Sequence, residues 1–309
     1  MTEKNKPSEA LVRRLNHLTD ELENFEEIAV RLKPEPGEIP QLPGIDVFGA
    51  TIPLAGAIGG DHIIYVDFNQ RHDLDARIAR AEKKGLSQIA GKLEELKQTA
   101  GVLLADVSGH RVTDAVLAAM LHQAFLLGVL YELELYGTIT TKLFENINNR
   151  FYRSSAVHKF VTMIYGEIHV GGTFRFMSAG HPPPLVFSNE FDRFMEIHPD
   201  LLTSFPPIGT MPSETDPDRS REDSALGYKG RYTINELKLM MPGDILVLYT
   251  DGLREHGGEN GDYFPGRLEE KIREFKNESA RRILDEVSRD LLAFATPEDD
   301  VSCVLIKKN

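Results

Sequence analysis

The chain has 309 residues, of which 41% are hydrophobic and 27% are charged, and its formal net charge at pH 7 is −13. This composition predicts a globular protein with a full core in one large domain or two smaller ones, and it excludes a disordered chain. The acidic balance argues against a broad nucleic-acid-binding surface, which needs clustered Lys and Arg. The single cysteine, Cys303, excludes an intrachain disulfide and a cysteine-based metal cluster, so we expect a reducing, cytoplasmic setting.

Neither the polar N-terminal segment nor the most apolar segment of the chain predicts membrane insertion. Residues 1–20 are polar and charged and lack the apolar stretch of a signal peptide, so we do not expect secretion. Residues 115–133 are close in length and composition to a membrane span, but His122 and Glu132 interrupt them. We predict a buried helix that packs on a sheet, because helices that are apolar on most faces also occur in large soluble cores.

Apolar residues recur at spacings of three and four between Ser8 and Leu32, which predicts a helix with one narrow apolar stripe. The stripe either packs back on the domain or forms a short two-helix dimer contact, and the pattern leaves both open. Prolines and a glycine in residues 33–40 then predict a linker. We therefore divide the chain into residues 1–40, a helix and linker with a dimerisation or regulatory role, and a main domain over 41–309.

The main domain alternates between apolar strand patterns and amphipathic helix patterns. In chain order the prediction is strands at 45–51, 62–68 and 101–107, helices at 114–135 and 138–153, strand pairs through 159–197, strands at 231–239 and 244–250, helices at 265–276 and 279–294, and a last strand at 301–307. Strands in hairpin-like succession with helices inserted as pairs predict an α+β fold with antiparallel sheets rather than a doubly wound parallel sheet.

Two segments do not fit a compact core. Residues 69–100 are rich in charged side chains around a helical apolar pattern, which predicts an inserted helical hairpin. Residues 212–230 carry almost no apolar side chains, which predicts a mobile surface loop.

Four aspartates stand where apolar strand-like runs meet a turn. They are Asp61 after two glycines, Asp106 after residues 101–105, Asp251 after residues 245–250 and Asp300 before residues 301–306. Each alone is explained equally well as an N-cap or turn residue. A carboxylate beside an apolar strand is costly to bury alone, so four of them together predict a shared cation.

The residue types at these positions restrict which metal ion could bind and which reaction could be catalysed. Carboxylate oxygens suit Mg²⁺ and Mn²⁺, whereas zinc is disfavoured because His-x-x-x-His and Cys-x-x-Cys pairs are absent from the sequence. Two such ions about 4 Å apart, clamping a phosphoryl oxygen, are one known use of a carboxylate cluster. Ser108 and Ser302 lack a nucleophile-elbow motif, and the sequence has no phosphate-binding P-loop. Phosphate ester hydrolysis is therefore the favoured chemistry.

Two histidines lie beside glycines in predicted turns. His181 is interpreted as structural, and His110 is left open between a proton donor and a hydrogen-bonding partner of the backbone.

Five motifs, in this order, resemble those of the bacterial SpoIIE/RsbU-type serine/threonine phosphatases, a branch of the metal-dependent PPM phosphatases. The motifs are Gly59-Gly-Asp61, Ala105-Asp-Val-Ser-Gly-His110, Ser178-Ala-Gly-His-Pro-Pro183, Pro242-Gly-Asp-Ile-Leu-Val-Leu-Tyr-Thr-Asp-Gly-Leu253 and Asp299-Asp-Val301. The resemblance covers about residues 43–307.

The resemblance implies a four-layer α-β-β-α sandwich of two antiparallel sheets, with two Mn²⁺ or Mg²⁺ ions at one end. Asp106 would bridge the ions, the carbonyl of Val107 would be a backbone ligand, and Asp251 and Asp300 would complete the cluster. Asp61 would bind metal directly or through water. The implied reaction is attack of a metal-bound hydroxide on a phosphoserine or phosphothreonine, with Asp106, Asp251 and His110 as the catalytic residues.

The implied substrate is a phosphorylated anti-sigma factor antagonist. Because a helix before the phosphatase domain often transmits activation in relatives, the resemblance also implies regulation by a separate activator protein or by a homodimer through residues 8–32. The alternative is a catalytically weak module of the same fold that binds a signalling partner; retention of all the aspartates favours the enzyme.

Four positions depart from the family pattern or are ambiguous within it. The residues that follow Asp61 differ from those of the family motif, so the roles of Asp61 and Asp67 stay open. Arg111 replaces a glycine and either binds substrate phosphate or points to solvent. The insertion at 69–100 either gates the site or recognises a partner. Of the last two carboxylates we choose Asp300 over Asp299, because Asp300 directly precedes the last strand.

Overall fold

The structure is a computed structural model that describes residues 9–30, 34, 38–54, 59–109, 112–154, 159–221, 224–239, 241–258 and 261–309. Its helices are α1 (Glu9–Val30), α2 (Phe68–Arg71), α3 (Leu74–Lys83), α4 (Ser87–Leu96), α5 (Val112–Tyr136), α6 (Thr141–Ser154), α7 (Asp251–Arg254), α8 (Gly266–Phe275) and α9 (Ala280–Phe294). Its strands are β1 (Ile45–Ile52), β2 (His62–Asp67), β3 (Thr99–Val107), β4 (Val161–His169), β5 (Thr173–Ala179), β6 (Leu185–Ser188), β7 (Arg193–Met195), β8 (Ser204–Phe205), β9 (Asn235–Lys238), β10 (Ile245–Tyr249), β11 (Gly257–Gly258), β12 (Gly261–Asp262) and β13 (Val301–Lys308).

Two sheets carry the domain. One has the order β1-β13-β10-β6-β7, and the other has the order β2-β3-β4-β5, with β8 and β9 both pairing with β5. All of these pairings are antiparallel except the short one between β5 and β8. The first sheet joins the two ends of the domain, because β1 pairs with β13.

Three hydrophobic clusters separate four layers. The first lies between the β2-containing sheet and helices α4, α5 and α6, the second lies between the two sheets, and the third lies between the β1-containing sheet and helices α8 and α9. Strand β3 shows how the sequence builds two of them, because Leu103 and Ala105 enter the first cluster while Val102 and Leu104 enter the second. This period-two alternation confirms the predicted α-β-β-α sandwich.

Helix α5 is buried on one face only. Its core side contributes Leu121, Phe125 and Val129, whereas Leu127 and Tyr131 are 57% and 60% exposed. The segment Asp114–Tyr136 is long and apolar enough to cross a membrane, and it is the single such helix found within the described ranges. The prediction of a buried helix on a sheet therefore holds for the sheet-facing side, and the other side is an exposed apolar surface.

The segment predicted as an insertion contains α3 and α4, which pack on each other and place Leu74, Leu93 and Leu96 in the first cluster. It connects the end of β2 to the start of β3. Because Asp67 pairs with Ala100 while His62 pairs with Ala105, this hairpin lies at the end of the sheet opposite Asp61. Five residues of strand separate the two ends by about 17 Å, and gating of the site and recognition of a partner both stay predictions.

Residues 212–230 were predicted to be a mobile surface loop, but hydrogen bonds anchor much of this segment and its flanks on α6. Asn148 donates to the carbonyl of Met211 at 2.8 Å, and Asn149 accepts from the amide of Ser213 at 2.8 Å. Glu145 pairs with the buried Lys229 at 2.7 Å. The polar composition therefore reflects a set of hydrogen bonds to α6 rather than free solvation.

Helix α1 confirms the helix predicted from the leucine spacing. Its stripe is exposed, with Leu11, Leu15, Leu18 and Leu22 between 42% and 58% accessible. Packing of this stripe back on the domain is thus not what the structure shows.

Candidate metal centre

Strand pairing brings the predicted aspartates to one end of the sandwich. In one sheet, His62 of β2 pairs with Ala105 of β3, which places Asp61 beside Asp106. In the other sheet, Tyr249 of β10 pairs with Cys303 of β13, so the residues after β10 lie beside those before β13. The amide of Thr250 donates to the carbonyl of Ser302 at 3.1 Å, which extends this pairing towards the aspartates.

Asp61 is buried and is tied to the opposite sheet. The hydroxyl of Thr250 donates to Oδ2 of Asp61 at 2.7 Å, and the same hydroxyl accepts from the amide of Ser302 at 2.9 Å. Burial, and next the nearby Asp106 carboxylate, raise the pKa of Asp61 well above its usual value, although the Thr250 hydroxyl opposes the shift. Thr250 therefore fixes the carboxylate and joins the two sheets at this end.

Asp106, Asp251 and Asp299 form a cluster of mutually repelling carboxyls. Burial and then the Asp251 carboxylate raise the pKa of Asp106 to about 7, with Asp299 and Asp300 adding to the shift. Burial and then Asp299 raise the pKa of Asp251. Like charges at short range disfavour ionisation, so the three carboxyls share one small region.

Asp300 faces the glycine turn before Asp61. It is buried, and its two oxygens accept hydrogen bonds from the amide of Gly60 at 2.6 Å and the amide of Leu54 at 2.7 Å. A Cβ added at Gly59 would lie 2.0 Å from Oδ2 of Asp300, so only glycine allows this approach. These contacts make Asp300 the residue that holds the turn, while both Asp299 and Asp300 lie near enough to Asp106 to raise its pKa, and Asp299 also raises that of Asp251. The motif includes both residues, but the sequence alone does not show which contacts each side chain makes.

The turn after Asp106 packs on the same glycines. The amide of Val107 donates to the carbonyl of Gly60 at 3.3 Å. A Cβ at Gly60 would lie 2.7 Å from the carbonyl oxygen of Val107 and 2.8 Å from that of Gly109. The two turns therefore have little freedom to move relative to each other.

His110 and Arg111 lie outside the described residues. His181 is buried, its Nδ1 lies 3.1 Å from the hydroxyl of Thr162, and burial lowers its pKa to about 3. These contacts agree with the structural role assigned to His181. Asp67 lies at the other end of β2, where its oxygens accept from the amides of Asn69 and Gln70 and cap α2.

The chemistry of this end of the sandwich fits a hard divalent cation. Within the described ranges, no three His, Cys, Asp or Glu side chains are already arranged as a ligand shell. Nevertheless Asp106 and Asp300 lie close enough to Asp61 to raise its pKa, and Asp251, Asp299 and Asp300 lie close enough to Asp106 to raise that of Asp106. This donor set consists of oxygen alone, and a divalent cation would offset the repulsion that the shifts report.

Known proteins are similar to this chain. Residues 97–309 match the family model of Stage II sporulation protein E (SpoIIE). The phosphoserine phosphatase RsbU of Bacillus subtilis (strain 168) is 22% identical over 216 residues, which are 69% of this chain and 56% of RsbU. The chain thus spans little more than half the length of that relative.

Solved structures agree on the fold. The SiaA-PP2C domain of Pseudomonas aeruginosa superposes with a TM-score of 0.62 at 16% identity, covering 98% of this chain and 100% of that one. The PP2C phosphatase domain of SpoIIE from Bacillus subtilis, solved with a fragment of its regulatory domain, gives 0.57 at 15% identity, covering 85% of this chain and 63% of that one. With its family model matched over well more than half of its length, the chain belongs to the SpoIIE family of PPM-type phosphatases.

Proposed function

We propose that this chain is a metal-dependent protein phosphatase that hydrolyses phosphoserine or phosphothreonine on a regulatory protein. The observation that carries the proposal is the meeting of Asp61, Asp106, Asp251 and Asp299 at one end of the paired sheets. Membership of the SpoIIE family supports the same reaction class.

The proposed cofactor is a pair of Mn²⁺ or Mg²⁺ ions. Asp106, Asp251 and the Asp299-Asp300 pair would hold them, with the carbonyl of Val107 and the carboxylate of Asp61 as further oxygen donors. The contacts of Asp300 favour Asp299 as the direct ligand and Asp300 as the residue that holds the neighbouring turn. When bound, divalent cations supply the Lewis acidity that polarises a phosphoryl group and activates water.

The chain's own residues supply orientation. Thr250 holds one oxygen of Asp61, and Asp300 fixes the turn before it. Three carboxyls at short range would repel a phosphate dianion, so substrate binding requires compensating positive charge. Arg111 stays a predicted source of such charge, and His110 stays a predicted catalytic residue.

The substrate proposal follows from the relatives. RsbU bears the name phosphoserine phosphatase, and on that likeness we propose a phosphorylated anti-sigma factor antagonist as substrate. A separate activator protein and a homodimer through residues 8–32 are the proposed means of regulation. The exposed stripe of α1 supports the homodimer.

The decisive measurement is hydrolysis of p-nitrophenyl phosphate and of a phosphoserine peptide with and without Mn²⁺. We expect chelation to abolish turnover, added Mn²⁺ to restore it, and Asp106→Asn or Asp251→Asn to lower kcat by about 100-fold or more, because each removes a charged ligand.

Asp67→Asn is the matched control. It changes a buried aspartate at the far end of β2; asparagine still caps α2 but loses the acceptor that Oδ2 offers to Gln41 and Gln70, so stability should fall while turnover of the folded protein is unchanged. Wild-type protein without metal-dependent turnover, or Asp106→Asn and Asp251→Asn variants with full activity, would contradict the proposal.

A further inference from the structure

The turn that follows Asp106 is held by a residue that no sequence motif includes. The Nζ of Lys159, just before β4, donates to the carbonyl of Ser108 at 2.7 Å and to Oδ1 of Asp114 at 2.5 Å. Lys159 therefore joins the turn after β3 to the first turn of α5.

Asp114 is the buried half of this ion pair. Its side chain is 0% exposed, whereas that of Lys159 is 29% exposed. A buried carboxylate is strongly destabilising when its partner is removed, so the two charges depend on each other. At the start of α5 the carboxylate also lies where the helix dipole favours negative charge.

Gly109 shows how tightly the turn lies on the pair. Its φ is +110°, and an added Cβ would lie 2.8 Å from both Oδ2 of Asp114 and Nζ of Lys159. Ser108 is fixed further, because its amide donates to the carbonyl of Phe160 and its hydroxyl accepts from the amide of Phe160, both at 3.1 Å. The turn can therefore shift only if the ion pair or these hydrogen bonds change.

The opposite side of the turn meets the glycines that precede Asp61. The carbonyl oxygens of Val107 and Gly109 approach the position that a Cβ of Gly60 would occupy. The turn thus lies between the Gly60 turn on one side and the Lys159–Asp114 pair on the other. A change in the ion pair would be transmitted to Asp106 and Val107, which immediately precede the turn.

We propose that Lys159 and Asp114 are positioning residues that set the affinity of the site for its divalent cation. This inference rests on the proposed function, because it assumes that Asp106 and Val107 are ligands. Neither residue contacts substrate in the proposal; the pair acts by holding the turn that presents the ligands.

The test is Mn²⁺ titration of the full chain by calorimetry, without substrate. Lys159→Met keeps the length of the side chain but removes its charge and donors, and we expect the Kd for Mn²⁺ to rise about 10-fold, as when an outer partner of a metal ligand is lost. Lys159→Arg should stay within about threefold of wild type, because arginine retains the charge and the donors. With saturating Mn²⁺, kcat of Lys159→Met should return to near the wild-type value.

The matched control is Lys229→Met, which breaks another buried lysine–carboxylate pair, that of Lys229 with Glu145 on α6. We expect it to lower stability while leaving the Kd for Mn²⁺ unchanged. If Lys159→Met does not fold, Asp114→Leu/Lys159→Met removes both charges and with them the uncompensated buried carboxylate.

The outcomes separate the two proposals. Wild-type protein that neither binds Mn²⁺ nor hydrolyses phosphate esters overturns the proposed function. Wild-type protein that does both, with wild-type affinity in the folded Lys159→Met or double variant, overturns the positioning role alone. Failure of both variants to fold would show that the pair serves general stability, and the positioning role would fall as well.

Discussion

Close approaches between backbone and side chain shape the site at the scale of single residues. The hydroxyl of Thr250 donates to Asp61 and accepts from Ser302, so one small side chain satisfies groups from both sheets. Gly252 lies where any side chain would collide, since an added Cβ would be 2.0 Å from the carbonyl oxygen of Asp300. Small residues are therefore required here because neighbouring atoms leave no space for a larger side chain, and not only because of turn geometry.

Gly252→Ala tests this crowding. The collision is with backbone, which cannot rotate away, so we expect a loss of about 1–3 kcal/mol in the free energy of unfolding and a fall in Mn²⁺-dependent turnover. Gly91→Ala on α4 is the control, because nothing lies within 4 Å of its added Cβ. There alanine should be neutral or stabilise by up to about 1 kcal/mol. Urea denaturation of both variants measures the change in the free energy of unfolding. Equal changes for Gly252→Ala and Gly91→Ala would contradict the predicted collision.

Glu167 on β4 makes stability depend on pH. It accepts a hydrogen bond from Tyr165 at 2.8 Å, and burial raises its pKa from 4.5 to about 7. The folded state therefore binds this proton more tightly than the unfolded state, so this group's contribution to stability is fully present below pH 4.5 and is lost as pH rises towards and through 7.

Glu167→Gln should remove that dependence. We expect the variant to gain stability relative to wild type at pH 8 but not at pH 5, measured as urea midpoints. Glu236→Gln changes an exposed carboxylate on neighbouring β9, 3.7 Å from Arg175, and should leave the pH profile as it is. A Glu167→Gln profile parallel to that of wild type would contradict the assignment.

At the scale of elements, α5 has two apolar faces with different surroundings. Leu121, Phe125 and Val129 pack on the sheet, and Gly128 allows α6 to approach so closely that an added Cβ would lie 2.1 Å from Cδ1 of Leu143. The opposite face presents large side chains to solvent, which is unusual for a single helix.

Alanine substitutions should separate these faces. Phe125→Ala removes a fully buried ring and should cost about 3–5 kcal/mol, whereas Leu127→Ala, at a position 57% exposed, should change stability by less than about 0.5 kcal/mol. Chemical denaturation of the two variants provides the comparison. A large loss for Leu127→Ala would mean that its face is covered in solution.

At the scale of the whole molecule, the sandwich leaves α1 with its leucine stripe exposed. Two such stripes packed together would bury the leucines of both helices, which supports the homodimer proposed through residues 8–32.

Light scattering on the full chain and on protein lacking residues 1–40 tests this contact. We expect a dimer that becomes a monomer on deletion. Leu15→Glu/Leu18→Glu should have the same effect with the helix retained, because charge in the stripe opposes its burial. An unchanged oligomeric state in both variants would rule out α1 as the dimer contact.

Much of this arrangement could be predicted from local patterns. Continuous apolar runs predict β3 and β13, which are buried on both faces, and the spacing of leucines predicts α1. The main strand and helix ends were predicted to within a few residues, and the strand predicted to 68 ends one residue earlier because Asp67 caps α2. The aspartate motifs at strand ends predicted a shared site, and strand pairing brings them to one end of the sandwich.

The sequence by itself determined the α+β sandwich and the family, and it predicted that aspartates at strand ends form a metal site. Only the tertiary structure decided that the carboxylate of Asp300 accepts hydrogen bonds from the amides of Leu54 and Gly60 and so holds the glycine turn. Only it brought Lys159 to Asp114, 45 residues away, and Thr250 to Asp61, 189 residues away. The physical reason is that period and composition act over a few residues, whereas these contacts depend on which strands pair and on the direction in which each side chain leaves its turn.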